Sequence, residues 1–113
     1  LNSIIHPLVK QEIINRINNH KIAGDVDYCF VEAALLIEDH YDIFMDEIWY
    51  IYVSEDVRRI RLSASRGYSD EKISNIFKSQ LSEAEFRKYA DKVIDNGSDI
   101  EKTRAQLEIM LGI

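Results

Sequence analysis

Two runs of β-forming apolar residues, Tyr28-Cys29-Phe30-Val31 and Ile48-Trp49-Tyr50-Ile51-Tyr52-Val53, constrain this chain more than any other feature. Neither alternates cleanly with polar residues, as a strand with one wet face would. Strands of this kind are covered on both faces, the condition of a parallel sheet flanked by helices. A third run, Val93-Ile94, is long enough only for a short strand. Two to three strands joined through crossovers predict the later part of an α/β domain with an incomplete doubly wound parallel sheet. A complete domain of that kind needs more strands, since two or three leave apolar faces and backbone edges uncovered. The chain opens at Leu1, without Met and already inside a helical pattern, so it reads as a piece of something longer.

Residues 1–20 place Ile4, Ile5, Leu8, Ile13, Ile14 and Ile17 at mostly helical spacing, and Pro7 predicts a break, with a short turn before it and a helix from it onward. The polar run Asn18-Asn19-His20 predicts the end of that helix. The second half carries repeated helix-start signals. Ser54 precedes Glu55-Asp56, Ser69 precedes Asp70-Glu71, Ser82 has Glu85 three residues on, and Ser98 has Glu101 three residues on. The last two fit the capping box, in which a serine oxygen accepts an otherwise orphaned helix N–H. Boundaries near 54, 69, 82 and 98 follow, and the last helix carries Ile100, Leu107, Met110 and Leu111 on one face.

At 113 residues and 46% apolar content the chain suits one compact core. A net charge of -6 argues against a nucleic-acid partner, which demands an excess of Lys and Arg. The apolar runs are too short to span a bilayer. The single Cys29 permits no intramolecular disulfide and sits in an apolar run, as a core residue would; with no leader pattern, a cytoplasmic setting is expected. None of Gly24, Gly67, Gly97 and Gly112 is followed by Lys, so the Gly-x-x-x-x-Gly-Lys-Ser/Thr loop that cradles nucleotide phosphates is absent from this chain.

Arg58, Arg59, Arg61 and Arg66 concentrate guanidinium groups in an otherwise acidic sequence. On a helix from Ser54, Val57, Ile60 and Ala64 form the expected inward stripe, with Arg61 beside it and Arg59 pointing away. The cluster is either a phosphate site or a solvated face paired with carboxylates. Gln80 continues the stripe of Ile73, Ile76 and Phe77, as a helix-end residue or a ligand contact. His6, before Pro7, suits an anion or sugar hydroxyl as well as packing or capping. His20 and His40 have no partner at metal-ligand spacing, even with Glu38, Asp39 and Asp42 nearby, so no metal site is expected. Tyr28, Tyr50 and Tyr52 read as sheet packing and not as a stacking platform for bases.

The order of short words says more. Leu1-Asn2-Ser3-Ile4-Ile5-His6-Pro7 resembles the "L-x-x-I-x-H-P" segment of dephospho-coenzyme A kinases, and Ala34-Leu35-Leu36-Ile37-Glu38 resembles their "P-L-L-F-E". Asp46 to Val53 resembles the strand that follows, and Arg61-Leu62 the first arginine of "Q-x-x-R-L-x-x-R". Gln80 and Ala90-Asp91-Lys92-Val93-Ile94-Asp95-Asn96 resemble the family's glutamine and its "A-D-x-V-I-x-N". The resemblance runs in order across nearly the whole chain. It departs at Ala34 for Pro, Ile37 for Phe, Arg58 for Gln, and Ser65-Arg66 for Arg-Asp.

The resemblance implies a P-loop kinase that transfers the γ-phosphoryl group of ATP to the ribose 3′-hydroxyl of dephospho-coenzyme A, with Mg²⁺, in the last step of coenzyme A biosynthesis. It assigns 1–26 to an acceptor-side helical segment, 27–53 to core strands, 54–81 to lid helices and 82–113 to C-terminal helices with a short strand. His6 and Glu38 would border the acceptor, Arg61, Arg66 and Arg58 would meet the phosphates from the lid, and Gln80 and Asn96 would lie by the nucleotide. No general base or phosphate loop has a counterpart here, so this chain alone is expected to be inactive. The alternative is a non-catalytic α/β module that binds a nucleotide or a protein partner.

Overall fold

The computed structural model describes residues 2–33 and 35–113. Leu1 and Ala34, which belong to the motif resemblance, lie outside the described residues, as does the side chain of Ile4. The chain divides into two compact units, residues 1–46 and 47–113.

In the first unit a single helix, α1, spans Asn2–Ala23. It runs through Pro7 instead of starting there. A proline so near the start removes one backbone bond, and the long helix-compatible run behind it propagates regardless. Nor does Asn18-Asn19-His20 end it, because exposed asparagines cost a helix only tenths of a kcal/mol each, ~0.7 at most. Gly24 ends it, at φ 62, with its amide donating to the His20 carbonyl at 2.8 Å.

The expected strand at Tyr28 to Val31 does not form, so only part of the 27–53 segment is sheet. A strand needs a neighbour with free backbone groups, and the other described elements of this unit are α1 and turns. Cys29 is consequently exposed and not core, and Tyr28 and Phe30 are exposed rather than packed on a sheet. Tight turns over 35–40 lead into a 3₁₀ turn, Tyr41–Phe44, and bury Ile37 and Tyr41. Tyr41 meets the Phe44 ring at 5.3 Å and lies under Lys10 of α1 at 5.4 Å.

The second unit holds strand β1 (Trp49–Tyr52), helices α2 (Glu55–Arg66), α3 (Asp70–Ser79) and α4 (Glu83–Tyr89), strand β2 (Lys92–Asp95) and helix α5 (Ile100–Leu111). β1 and β2 pair in parallel, Trp49 beside Lys92 and Tyr52 beside Asp95, with three helices in the crossover. This is the expected α/β arrangement of a two-strand parallel sheet with flanking helices. One face carries Tyr50 and Tyr52, packed by Phe86 of α4, whose ring stacks on Tyr50 at 5.3 Å, and by Arg87 at 5.0 Å over Tyr52. Burial and, second, the charge of Glu83 raise the Tyr50 phenol above its ordinary value.

Both ends of the sheet are pinned by polar side chains. The Asp91 carboxylate accepts the Ile48 amide at 2.7 Å, and Gln106 of α5 clasps both backbone groups of Asp95 at 2.8 Å, closing the β2 edge. Ile94, next to Asp95 in β2, is fully buried.

Ser54, Ser69 and Ser82 cap their helices as expected, and Ser82 completes its box with Glu85. Ser98 does not. Asp99 is the cap, its carboxylate accepting the Lys102 amide at 2.9 Å. Asp95 already holds the Gly97 amide at 2.9 Å, and this turn carries the chain one residue further before the helix begins.

Candidate functional site

The arginine cluster lies on α2, which Ser54 starts and Gly67, at φ 63, stops. Its inward side keeps only Val57 of the expected stripe. Ile60 is 67% exposed and Ala64 is exposed, while Val57, Arg58, Arg59 and Leu62 are half-buried. The helix turns its arginines inward because Phe77 of α3 offers them a ring. Arg58 and Arg59 stand over that ring with Cζ at 4.5 and 5.3 Å from its centroid. A cation over an aromatic face at this range is worth ~0.5–2 kcal/mol.

Polar contacts complete the seam. Arg59 Nη1 donates to the Ser74 hydroxyl at 3.2 Å and to the Asp70 carbonyl at 3.3 Å. Arg58 Nη1 donates to Gln80 Oε1 at 3.3 Å, while its Nε is buried with no protein partner among the described residues. Arg59, expected to point away, is therefore a seam residue. Gln80, expected near the nucleotide, is an exposed helix-end residue bonded to Arg58.

The two remaining arginines differ from this pair. The Arg66 guanidinium beside Tyr68, and after it the Lys72 ammonium 3.9 Å over the ring, hold the phenol below its ordinary range. Arg61 is exposed, and among the described residues its guanidinium has no hydrogen bond or ion pair. Of the four, it is the one whose charge is not already engaged within this unit.

Asn96 follows β2 at the carboxyl ends of the two strands, where open α/β sheets bind their ligands. Its amide donates to the Tyr52 carbonyl at 2.8 Å and its side-chain Oδ1 accepts from the Thr103 hydroxyl at 2.7 Å. The side chain is thereby held by α5, with its amide nitrogen still able to donate. Ser54 and the first turn of α2 follow the end of β1 directly. In the first unit His6 Nδ1 lies 3.5 Å from Asp39 Oδ2. The neighbouring carboxylate of His6 is thus Asp39, while Glu38, expected on the acceptor side, is exposed. Among the described residues no three His, Cys, Asp or Glu side chains converge as a metal site.

Sequence reasoning paired neither Asp39 with His6 nor Arg58 and Arg59 with Phe77. Phe77 was visible as part of the α3 stripe and the Arg58-Arg59 pair as adjacent charge. What joined them was the short Gly67 to Ser69 turn, which folds α3 back on α2.

Comparison with known proteins agrees with this architecture. A family profile described as dephospho-CoA kinase matches residues 1–102. A dephospho-CoA kinase of Carboxydothermus hydrogenoformans is 40% identical over 112 residues, covering 98% of this chain and 53% of the relative. One from Oceanobacillus iheyensis is 32% identical over 111 residues, covering 98% and 55%. The crystal structure of TT1252 from Thermus thermophilus superposes with a TM-score of 0.80 at 23% identity, over 99% of this chain and 56% of that one, a likeness of fold. The chain spans about half the length of the curated relatives it matches. With a family profile over residues 1–102 and relatives at this identity, the chain belongs to the dephospho-CoA kinase family.

Proposed function

We propose that this chain is part of an enzyme that transfers the γ-phosphoryl group of ATP to the ribose 3′-hydroxyl of dephospho-CoA, and that α2 and α3, within residues 54–81, form its lid over the phosphates. The bond from the γ-phosphorus to the bridging oxygen breaks with its electron pair left on ADP, a bond from the ribose oxygen to the γ-phosphorus forms, and the hydroxyl proton is released to water. Negative charge spreads over the equatorial oxygens as this happens, and a preorganised guanidinium stabilises it. The observation that carries the assignment is the state of Arg61: exposed, positively charged, and uncommitted among the described residues of an arginine-rich helix. Arg58 and Arg66 are engaged by Phe77, Gln80 and Tyr68, which suits them to holding the lid in shape. Residues 1–26 serve the acceptor side through His6, and Asn96 serves the nucleotide from the carboxyl end of β2. A cytoplasmic setting, expected from the single cysteine, belongs to the same reading.

The test is made on the complete protein. Incubation with ATP and dephospho-CoA should yield ADP and coenzyme A in equal amounts by mass spectrometry. Arg61→Ala should lower kcat by ~10²-fold at saturating ATP. No coenzyme A formed would sink the activity, and an unchanged kcat would sink the role of Arg61.

A further inference from the structure

Asp70, Ser74, Phe77 and Gln80 fall at i, i+4, i+7 and i+10 on α3 and its cap, one continuous face of the helix. Every one of them touches Arg58 or Arg59. The middle of that face is an aromatic ring bearing two guanidinium groups, and its ends are polar bonds to the same two arginines. Two like charges over one ring repel each other. An apolar seam was open to α2, since Ile60 points outward at 67% exposure. The helix instead meets α3 through its planar cations, which gives the contact a direction: a guanidinium must lie over the ring face to gain from it.

Arg61 is three residues beyond Arg58, the spacing at which helical side chains are neighbours. Whatever sets the rotation of α2 at Arg58 and Arg59 sets the direction of Arg61. We propose that Phe77 is a positioning residue of the lid: by clasping Arg58 and Arg59 it fixes the rotation of α2 on α3 and so aims Arg61. This rests on the reading of Arg61 as the phosphate contact.

The experiment is a double-mutant cycle on the complete enzyme, with kcat and the KM for ATP measured separately. Phe77→Leu keeps apolar bulk and removes the ring face; it should lower kcat by roughly tenfold. Phe77→Tyr should restore kcat to within about twofold. In the Arg61→Ala background, Phe77→Leu should cost nothing further, because the group it aims is gone. Should Phe77→Leu not fold, Arg58→Lys with Arg59→Lys, which keeps both charges and loses the planar stack, runs through the same cycle. If Arg61→Ala lowers kcat and the clasp variant is silent, or costs as much with Arg61 absent as present, the clasp fails while the phosphate reading stands. A silent Arg61→Ala overturns both.

Discussion

Glu47 precedes β1 and accepts from the Trp49 indole at 2.7 Å while lying 3.2 Å from the Lys92 ammonium on the neighbouring strand. The Trp49 bond first, and Lys92 second, hold its carboxyl below the ordinary 4.5. A depressed folded value means that the native protein binds this proton more weakly than the unfolded chain does. The stabilising contribution is therefore present above pH 4.5 and is lost as pH falls through the lower folded value. Glu47→Gln should flatten the acid limb of a Tm-against-pH curve without abolishing the transition at neutral pH. A limb of unchanged slope would remove Glu47 from the linkage. Asp25 behaves alike at the end of α1, where the His20 bond at 2.9 Å lowers it. Residue types with chemistry were legible in the sequence, but their partners were not. Arg61 stood out by its position in a motif, whereas the pairing of His6 with Asp39 required the 35–40 turns to bring the carboxylate back to α1.

Helix starts were legible because the signal is local: a serine or aspartate oxygen within reach of an amide three residues on. The one displaced start supplies a sharp test. Asp99→Ala should cost about 1 kcal/mol in urea unfolding, and Ser98→Ala less than about 0.5. The reverse ranking would restore Ser98 as the cap. Gly67 makes a second element-scale prediction, since it stands at φ 63 between α2 and α3. No atom crowds a Cβ there, so Gly67→Ala should cost only the backbone strain of the left-handed region, about 1 kcal/mol. The strand expected over Tyr28 to Val31 was less legible for a physical reason. β-propensity reports fitness for a pleated, half-buried surface, and the pairing itself depends on a neighbouring strand. Within Ile48 to Val53, Trp49–Tyr52 has β2 beside it and forms β1; Tyr28 to Val31 has no such neighbour among the described residues of its unit.

At the scale of the whole molecule, Ile73 and Ile94 are the large side chains fully buried among the described residues, each at 0% exposure. Ile94→Ala removes one of these anchors from β2 and should cost ~2–5 kcal/mol by urea unfolding of the complete protein. The 113-residue chain assayed by itself should form no coenzyme A from ATP and dephospho-CoA, since it contains no Gly-x-x-x-x-Gly-Lys-Ser/Thr loop. Measurable turnover by the isolated chain would overturn that. The sequence by itself determined the class of fold, the order of elements in the second unit, three of its four helix caps and, through ordered words from Leu1 to Asn96, the family. All of these depend on spacing along the chain. Only the tertiary structure decided which side of α2 faces α3, which arginines are engaged by Phe77, and which residues of 27–53 pair as strand. Those outcomes turn on what stands opposite a residue once the chain has folded back, and a guanidinium chooses between water, a carboxylate and an aromatic ring only when the ring is there.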